Sequence, residues 1–321
     1  MKHILFYFAL FLPLLGRESP PIVIAHRGAS GYLPEHTLAA KAMAHAQGAE
    51  FLEQDIVLTK DNIPVVLHDI HLDTTTDVAR CFPERKRTDG HYYTLDFTVA
   101  ELKQLRVTER FNAKTSEAVY PNRFPVGGAP FQISTLEEEL KFIQGLNKSS
   151  GRVAGIYPEI KQPAWHRKQG HDISSIVISI LRRCGYVTRE DPCWLQCFEF
   201  EEVKRLRTEL DWQGRLLLLG DEFLLPKELT KVAKFADGIG PPISSVISGT
   251  NPADRRVTDL VKNAHAIDLM VHPYTLRVDE LPGVARSVDD LLSLLFTEAG
   301  VDGLFTDFPD VVVKWLEQSD E

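Results

Sequence analysis

A (β/α)8 TIM barrel carrying a small inserted subdomain is the α/β fold that this sequence predicts. Three observations lead there. Short apolar runs bounded by Gly, Pro or charge alternate with amphipathic helical patterns along the chain. Alternation of this kind builds parallel sheet. Nine strand candidates occur, and one close pair cannot be joined in parallel, which leaves the eight strands of a barrel.

The strand candidates are Ile22–Ala25, Phe51–Leu58, Pro64–Leu67, Val153–Ile160, Trp194–Phe198, Arg215–Leu219, Asp237–Gly240, Leu269–Leu276 and Gly303–Phe305. The helical patterns are Pro34–Ala46, Thr135–Leu146, Asp172–Cys184, Glu201–Leu210, Lys227–Phe235, Ala253–Ala264 and Val288–Ala299. A parallel crossover needs about a dozen residues, and Lys60–Ile63 is far shorter. Pro64–Leu67 therefore folds back on Val57–Thr59 as a hairpin outside the parallel set. From His71 to Gln132 the chain is polar, contains Pro and Gly, and has little periodicity. A structureless loop of that length is disfavoured in a compact domain. We read 71–132 as a cap subdomain inserted after the second barrel strand, on the mouth side, within a barrel domain spanning 20–319.

The chain has 44% hydrophobic and 25% charged residues, as in globular proteins. Its 36 basic and 45 acidic residues give a net charge of −9. That excludes a general nucleic-acid surface or an anionic-membrane surface, both of which need excess Lys and Arg. It leaves room for a local basic pocket. Lys2, the apolar run Ile4–Leu12 and the small Gly16 read as a secretory signal peptide over 1–16. The expected location is periplasmic or secreted. The run is shorter than the ~20 apolar residues of a membrane-spanning helix, so no stable membrane insertion is expected. Cys81, Cys184, Cys193 and Cys197 lack the paired spacing of a zinc site, and are expected to be free or joined in at most one bridge.

The polar groups at strand ends carry the chemistry. In Phe51-Leu52-Glu53-Gln54-Asp55, alternation puts Glu53 and Asp55 on one face. Two such carboxylates would repel if buried alone, and a metal ion between them removes the conflict. Glu159 and Lys161 likewise share a face of Tyr157–Lys161. If that face is the barrel interior, Glu159 becomes a third carboxylate beside the first two. Carboxylates without Cys or clustered His favour a hard cation, Mg²⁺ or Ca²⁺. His26 and His68 each end an apolar run, followed by Arg27 and Asp69. Paired imidazoles can act as acid and base near neutral pH. Arg27 offers a fork matched to phosphate oxygens and Lys161 a point charge, both for substrate binding. His45 and His265 fall within helical patterns and read as structural.

His26-Arg27-Gly28, Pro34-Glu35-His36-Thr37, Glu53-Gln54-Asp55, His68-Asp69, Glu159-Ile160-Lys161, Gln196-Cys197-Phe198 and Thr306-Asp307-Phe308-Pro309-Asp310 together resemble the signature series of glycerophosphodiester phosphodiesterases. The resemblance runs in order from about residue 22 to 316. Tyr157–Lys161, Ala236–Pro241 and Val271–Arg277 bring it nearest the bacterial periplasmic branch. It implies a capped barrel, a divalent cation (Ca²⁺ in that branch, Mg²⁺ the other candidate) and hydrolysis of deacylated phospholipids to sn-glycerol 3-phosphate and an alcohol. The family's acid/base histidines fall on His26 and His68. Its metal carboxylates fall on Glu53, Asp55 and Glu159. Two departures are visible: His36 stands where many members have Asn, and Gly220–Lys227 is short. The substrate class is a small glycerophosphodiester, and a homodimer is a compatible assembly. A phospholipase C or D acting on intact lipid would share the barrel. It would need an exposed apolar rim, which the insertion's polar composition does not supply. A binding or adhesion protein could keep the fold without the chemistry. The intact set of two histidines and three carboxylates argues against that.

Overall fold

The structure, a computed structural model, describes residues 20–319. The expected signal peptide lies outside them. Nine strands matter for the site: β1 Ile22–Ala25, β2 Phe51–Leu58, β3 Pro64–Val66, β4 Gly155–Ile160, β5 Trp194–Cys197, β6 Arg215–Leu219, β7 Gly238–Gly240, β8 Met270–Val271 and β9 Gly303–Thr306. Eight run parallel in the order β8-β7-β6-β5-β4-β2-β1-β9. A parallel bridge from Leu276 to Thr306 links the two ends of this path and nearly closes the barrel. β3 pairs antiparallel with β2, Ile56 opposite Val66 and Leu58 opposite Pro64, as the short linker requires.

The helices that cover the barrel are α1 Leu38–Ala46, α2 Leu136–Ser150, α3 Ile173–Arg183, α4 Phe200–Thr208, α5 Pro226–Val232, α6 Leu260–His265, α7 Val288–Leu292 and α8 Pro309–Ser319. α2 begins at a capping box, with Thr135 and Glu138 satisfying each other's backbone N–H groups. It ends at Gly151, whose φ of 74° suits a residue without Cβ. Such caps are typically worth ~1 kcal/mol.

Four predicted elements need correction. Helix α1 starts at Leu38, not Pro34, because His36 has a φ of 61° and Thr37 is the cap, accepting from the Ala40 N–H. Residues 253–259 are not helical. Asp254 caps the Thr250 and Asn251 N–H groups in a turn, and Arg256–Val257 then pairs with Ile247–Ser248. Of Leu269–Leu276 only Met270–Val271 is regular strand, since Pro273 has no N–H for the ladder. The pattern over Val288–Ala299 is helical, but its second half, Ser293–Ala299, is π-helical.

Two cores follow from the period of two along the strands. Outward side chains such as Val23, Leu52, Ile156, Leu195 and Leu216 pack with the helices. Inward ones alternate with them: Ile24, Phe51, Tyr157, Trp194, Leu217 and Phe305 fill the barrel as an apolar plug. Two residues further along the same strands, toward their C-terminal ends, stand His26, Glu53, Glu159, Gln196 and Asp307. The plug is therefore the floor beneath a polar layer. Residues 71–132 contain short helices at Val78–Cys81 and Val99–Leu102. Tyr92, Phe97, Leu102, Leu105 and Val107 form a separate apolar cluster with Val57, Val65 and Leu67 of the hairpin. Among the described residues, no helix is long and apolar enough to cross a membrane.

Candidate active site

All seven residues singled out in the sequence line one cavity of about 500 Å³ at the strand C-termini: His26, Arg27, Glu53, Asp55, His68, Glu159 and Lys161. Phe198, Tyr274, Arg277 and Glu280 complete parts of its wall.

Local backbone geometry puts each group there. Arg27, with φ 59°, turns its own N–H onto Glu53 Oε2 at 2.6 Å. Gly28 follows with φ 88°, and a Cβ there would lie 2.8 Å from the Ala40 backbone, so the turn can press against the start of α1. Non-glycine residues in this region store strain that the surrounding structure must offset, a common trait of functional sites. His68 arrives by the hairpin. β2 overshoots Asp55 by three residues, β3 returns antiparallel, and the Leu67 N–H donates to the Asp55 carbonyl at 2.9 Å. The hairpin thus brings His68 back to the carboxylate level.

The two imidazoles share one arrangement. His26 Nδ1 lies 2.6 Å from Asp307 Oδ1, and His68 Nδ1 lies 2.8 Å from Asp69 Oδ1. Each carboxylate accepts from Nδ1–H, which leaves Nε2 as the reactive nitrogen. Burial, reinforced by the Arg27 charge, pushes His26 down to about 4. Burial and Arg27 also push His68 down. Both are therefore neutral near pH 7. Burial would raise the two aspartates, but their histidine and arginine partners hold both below the ordinary carboxylate range.

The carboxylates cluster as the strand register dictates, with Asp55 directly opposite Glu159. Lys161 Nζ is 2.7 Å from Glu159 Oε1 and 3.5 Å from Asp55 Oδ1. His36 Nε2 is 2.8 Å from Asp55 Oδ2. Burial would raise Asp55, but Lys161, His68 and His36 hold it well below its usual range. Burial and the neighbouring Asp55 drive Glu53 well above the usual range. Burial raises Glu159 to about 8, with Lys161 opposing and Asp55 adding to the rise. Buried carboxyls under such mutual repulsion suit a divalent cation, which lets them ionise together. Ligand atoms of His36, Glu53 and Asp55 lie within 4.8 Å of one another. His36 is a member of this trio that the sequence marked only as a departure from a pattern. Burial lowers it to about 3, leaving a neutral imidazole, and its Nδ1 is buried without a hydrogen bond among the described residues. Glu159 adjoins the trio through Asp55 rather than belonging to it.

Arg27 Nη1 bonds Glu35 Oε2 at 3.0 Å, while its buried Nε lies 3.5 Å from Asp55 Oδ2, an ion pair without a hydrogen bond among the described residues. Glu35, Asp307, Arg110, Arg123 and Arg277 are site-bordering residues to which sequence reasoning assigned no role. Asp307 could have been found, because it follows β9 as His26 follows β1. Arg110 and Arg123 lie in the aperiodic insertion, where no spacing marks them. His45 and His265 are structural, as expected: they pair with Asn147 at 3.0 Å and Asp302 at 2.8 Å. The four cysteines are unpaired.

Comparison with known proteins bears on this arrangement. Residues 26–311 match the model of the glycerophosphoryl diester phosphodiesterase family. A glycerophosphodiester phosphodiesterase of Haemophilus influenzae is 42% identical, the match covering 94% of this chain and 91% of that protein. One of Treponema pallidum is 38% identical, covering 94% and 93%. A solved structure of an Oleispira antarctica phosphodiesterase in complex with its product sn-glycerol 3-phosphate superposes with a TM-score of 0.62. It is 21% identical and the match covers 93% of this chain and 97% of that one, a likeness of fold. A Silicibacter pomeroyi structure superposes with a TM-score of 0.69 at 22% identity, covering 95% of each chain.

Proposed function

Because the chain belongs to the glycerophosphoryl diester phosphodiesterase family, we propose that it hydrolyses glycerophosphodiesters to sn-glycerol 3-phosphate and an alcohol by two-histidine acid–base catalysis. One observation carries this reading. Two neutral imidazoles, each backed by an aspartate on Nδ1, line the same cavity as three carboxylates, Arg27 and Lys161.

In this reading one neutral imidazole takes at Nε2 the proton of the attacking group, water or the substrate's own 2-hydroxyl, and the other, first protonated from water at Nε2, gives that proton to the departing alkoxide. The paired aspartate stabilises whichever imidazolium forms. Arg27 and Lys161 bind the phosphoryl oxygens. Glu53, Asp55 and Glu159, with His36 alongside, would hold a divalent cation, Ca²⁺ before Mg²⁺, which supplies charge neutralisation at phosphorus. Oxygen-rich donors support that preference for a hard cation. The insertion at 71–132 acts as a polar cap selecting small, water-soluble diesters. Cleavage of the 1–16 segment during export would place the enzyme in a periplasmic or external compartment.

The deciding assay measures sn-glycerol 3-phosphate released from glycerophosphocholine, with and without a chelator. Release that stops on chelation and recovers with Ca²⁺ supports the reading. Release unaffected by chelation removes the cation from it. Faster cleavage of phosphatidylcholine vesicles than of glycerophosphocholine points instead to a phospholipase.

A further inference from the structure

The second oxygen of each aspartate that holds His26 or His68 is taken by an arginine of the insertion. Arg123 Nη2 donates to Asp307 Oδ2 at 2.8 Å, and Arg110 Nη1 donates to Asp69 Oδ2 at 2.8 Å. Neither arginine lines the cavity. Both are themselves held in place. Arg110 forks onto Glu35, Nε to Oε2 at 3.0 Å and Nη2 to Oε1 at 2.7 Å, and its Nη1 also reaches Thr74 Oγ1 at 3.1 Å. Arg123 forks onto Asp279 at 2.8 and 3.0 Å, reaches the Ser30 carbonyl at 3.4 Å and stacks 3.7 Å over the Tyr120 ring. Their side chains are 18% and 4% exposed.

We infer that the insertion completes the acid–base machinery, with Arg110 acting through Asp69 on His68 and Arg123 acting through Asp307 on His26. Both are positioning residues. A carboxylate with one free oxygen can rotate about its Cβ–Cγ bond, and its histidine then turns with it. An arginine on the second oxygen fixes the carboxylate plane, and so the ring and its tautomer. The barrel supplies both histidines and both aspartates, but the insertion supplies a clamp for each pair. The clamps are unequal. Asp307 also accepts from the barrel's Arg277 Nε at 3.0 Å, whereas the arginine bond on Asp69 comes from Arg110. Losing Arg110 should therefore cost more than losing Arg123.

The inference rests on the two-histidine reading, so H26A and H68A serve as reference variants. In the full enzyme, Arg110→Gln should lower kcat about 10- to 100-fold, the usual effect of losing an orienting partner, with KM on glycerophosphocholine little changed. Arg123→Gln should lower it less. Arg110→Gln should add nothing in an Asp69→Asn background, yet retain its full effect in Asp307→Asn, because coupled residues are non-additive. Nitrogen-15 NMR of the histidine rings should show His68 alone changing its tautomer balance in Arg110→Gln. Arg110→Lys, which restores one bond and the charge, should recover part of kcat and serves for the NMR if the Gln variant does not fold. A rise in KM at constant kcat, equal costs in both aspartate backgrounds, or an unmoved His68 spectrum each overturns the inference. If H26A and H68A keep wild-type turnover, the acid–base reading itself has failed.

Discussion

His26 and Asp307 stand 281 residues apart in sequence and 2.6 Å apart in space. The parallel pairing of the first and last barrel strands, Ala25 opposite Thr306, makes them neighbours. Each is the first residue beyond its strand on the inward-facing period, so the contact follows from register. The same pairing makes docking of the last strand on the first a condition for orienting His26.

His26→Ala and His68→Ala should each reduce turnover about 10²- to 10⁴-fold, the range of a lost general acid or base. Circular dichroism and cation affinity should stay at wild-type values. Near-normal turnover in either variant removes that histidine from the mechanism.

Glu53→Gln should weaken divalent-cation binding by ~10-fold or more, given that loss of outer-sphere partners alone reaches that size. Isothermal titration calorimetry with Ca²⁺ and with Mg²⁺ measures it. Unchanged affinity for both ions would exclude Glu53 as a ligand.

Acid should destabilise the fold partly through His26. Burial, then the Arg27 charge, lowers this imidazole from 6.5 to about 4. Between those values the unfolded chain binds the proton and the native state does not. Stability is therefore complete above pH 6.5 and falls as pH drops toward 4, by roughly 3 kcal/mol from this group. Thermal melts of His26→Gln over that window should show a shallower loss than wild type. Parallel curves would rule out a His26 contribution.

Lys41 is fully buried, with Nζ 2.6 Å from Glu139 Oε1 and a second bond to the Glu53 carbonyl. Lys41→Met alone leaves Glu139 buried and unpaired and should cost about 3–5 kcal/mol. Lys41→Met with Glu139→Leu should recover most of that, since an apolar pair carries no desolvation penalty. Denaturant melts decide it, and additive losses would show that the pair is not an isolated unit.

Mass spectrometry of the protein from its native host should show a mature chain beginning near Arg17, with Lys2 removed. An active protein retaining Met1 contradicts export by signal cleavage.

Much was determined by sequence alone. Alternation of apolar strands and helices specified the parallel barrel because both periods are local, and the length of Lys60–Ile63 ruled a crossover out. The strand-end positions of His26, Glu53, Asp55, His68 and Glu159 marked the mouth, since residues two apart on a strand share a face. Only the tertiary structure decided the partners. Pairing of His26 with Asp307 depends on β1 meeting β9. His36 joins Glu53 and Asp55 because a left-handed backbone turn at His36 delays the start of the predicted helix to Leu38 and aims the imidazole at Asp55. Arg110 and Arg123 reach the aspartates through an insertion with no periodicity to read. Such contacts arise from the closing of a barrel and the path of an irregular loop, and neither is written in local spacing.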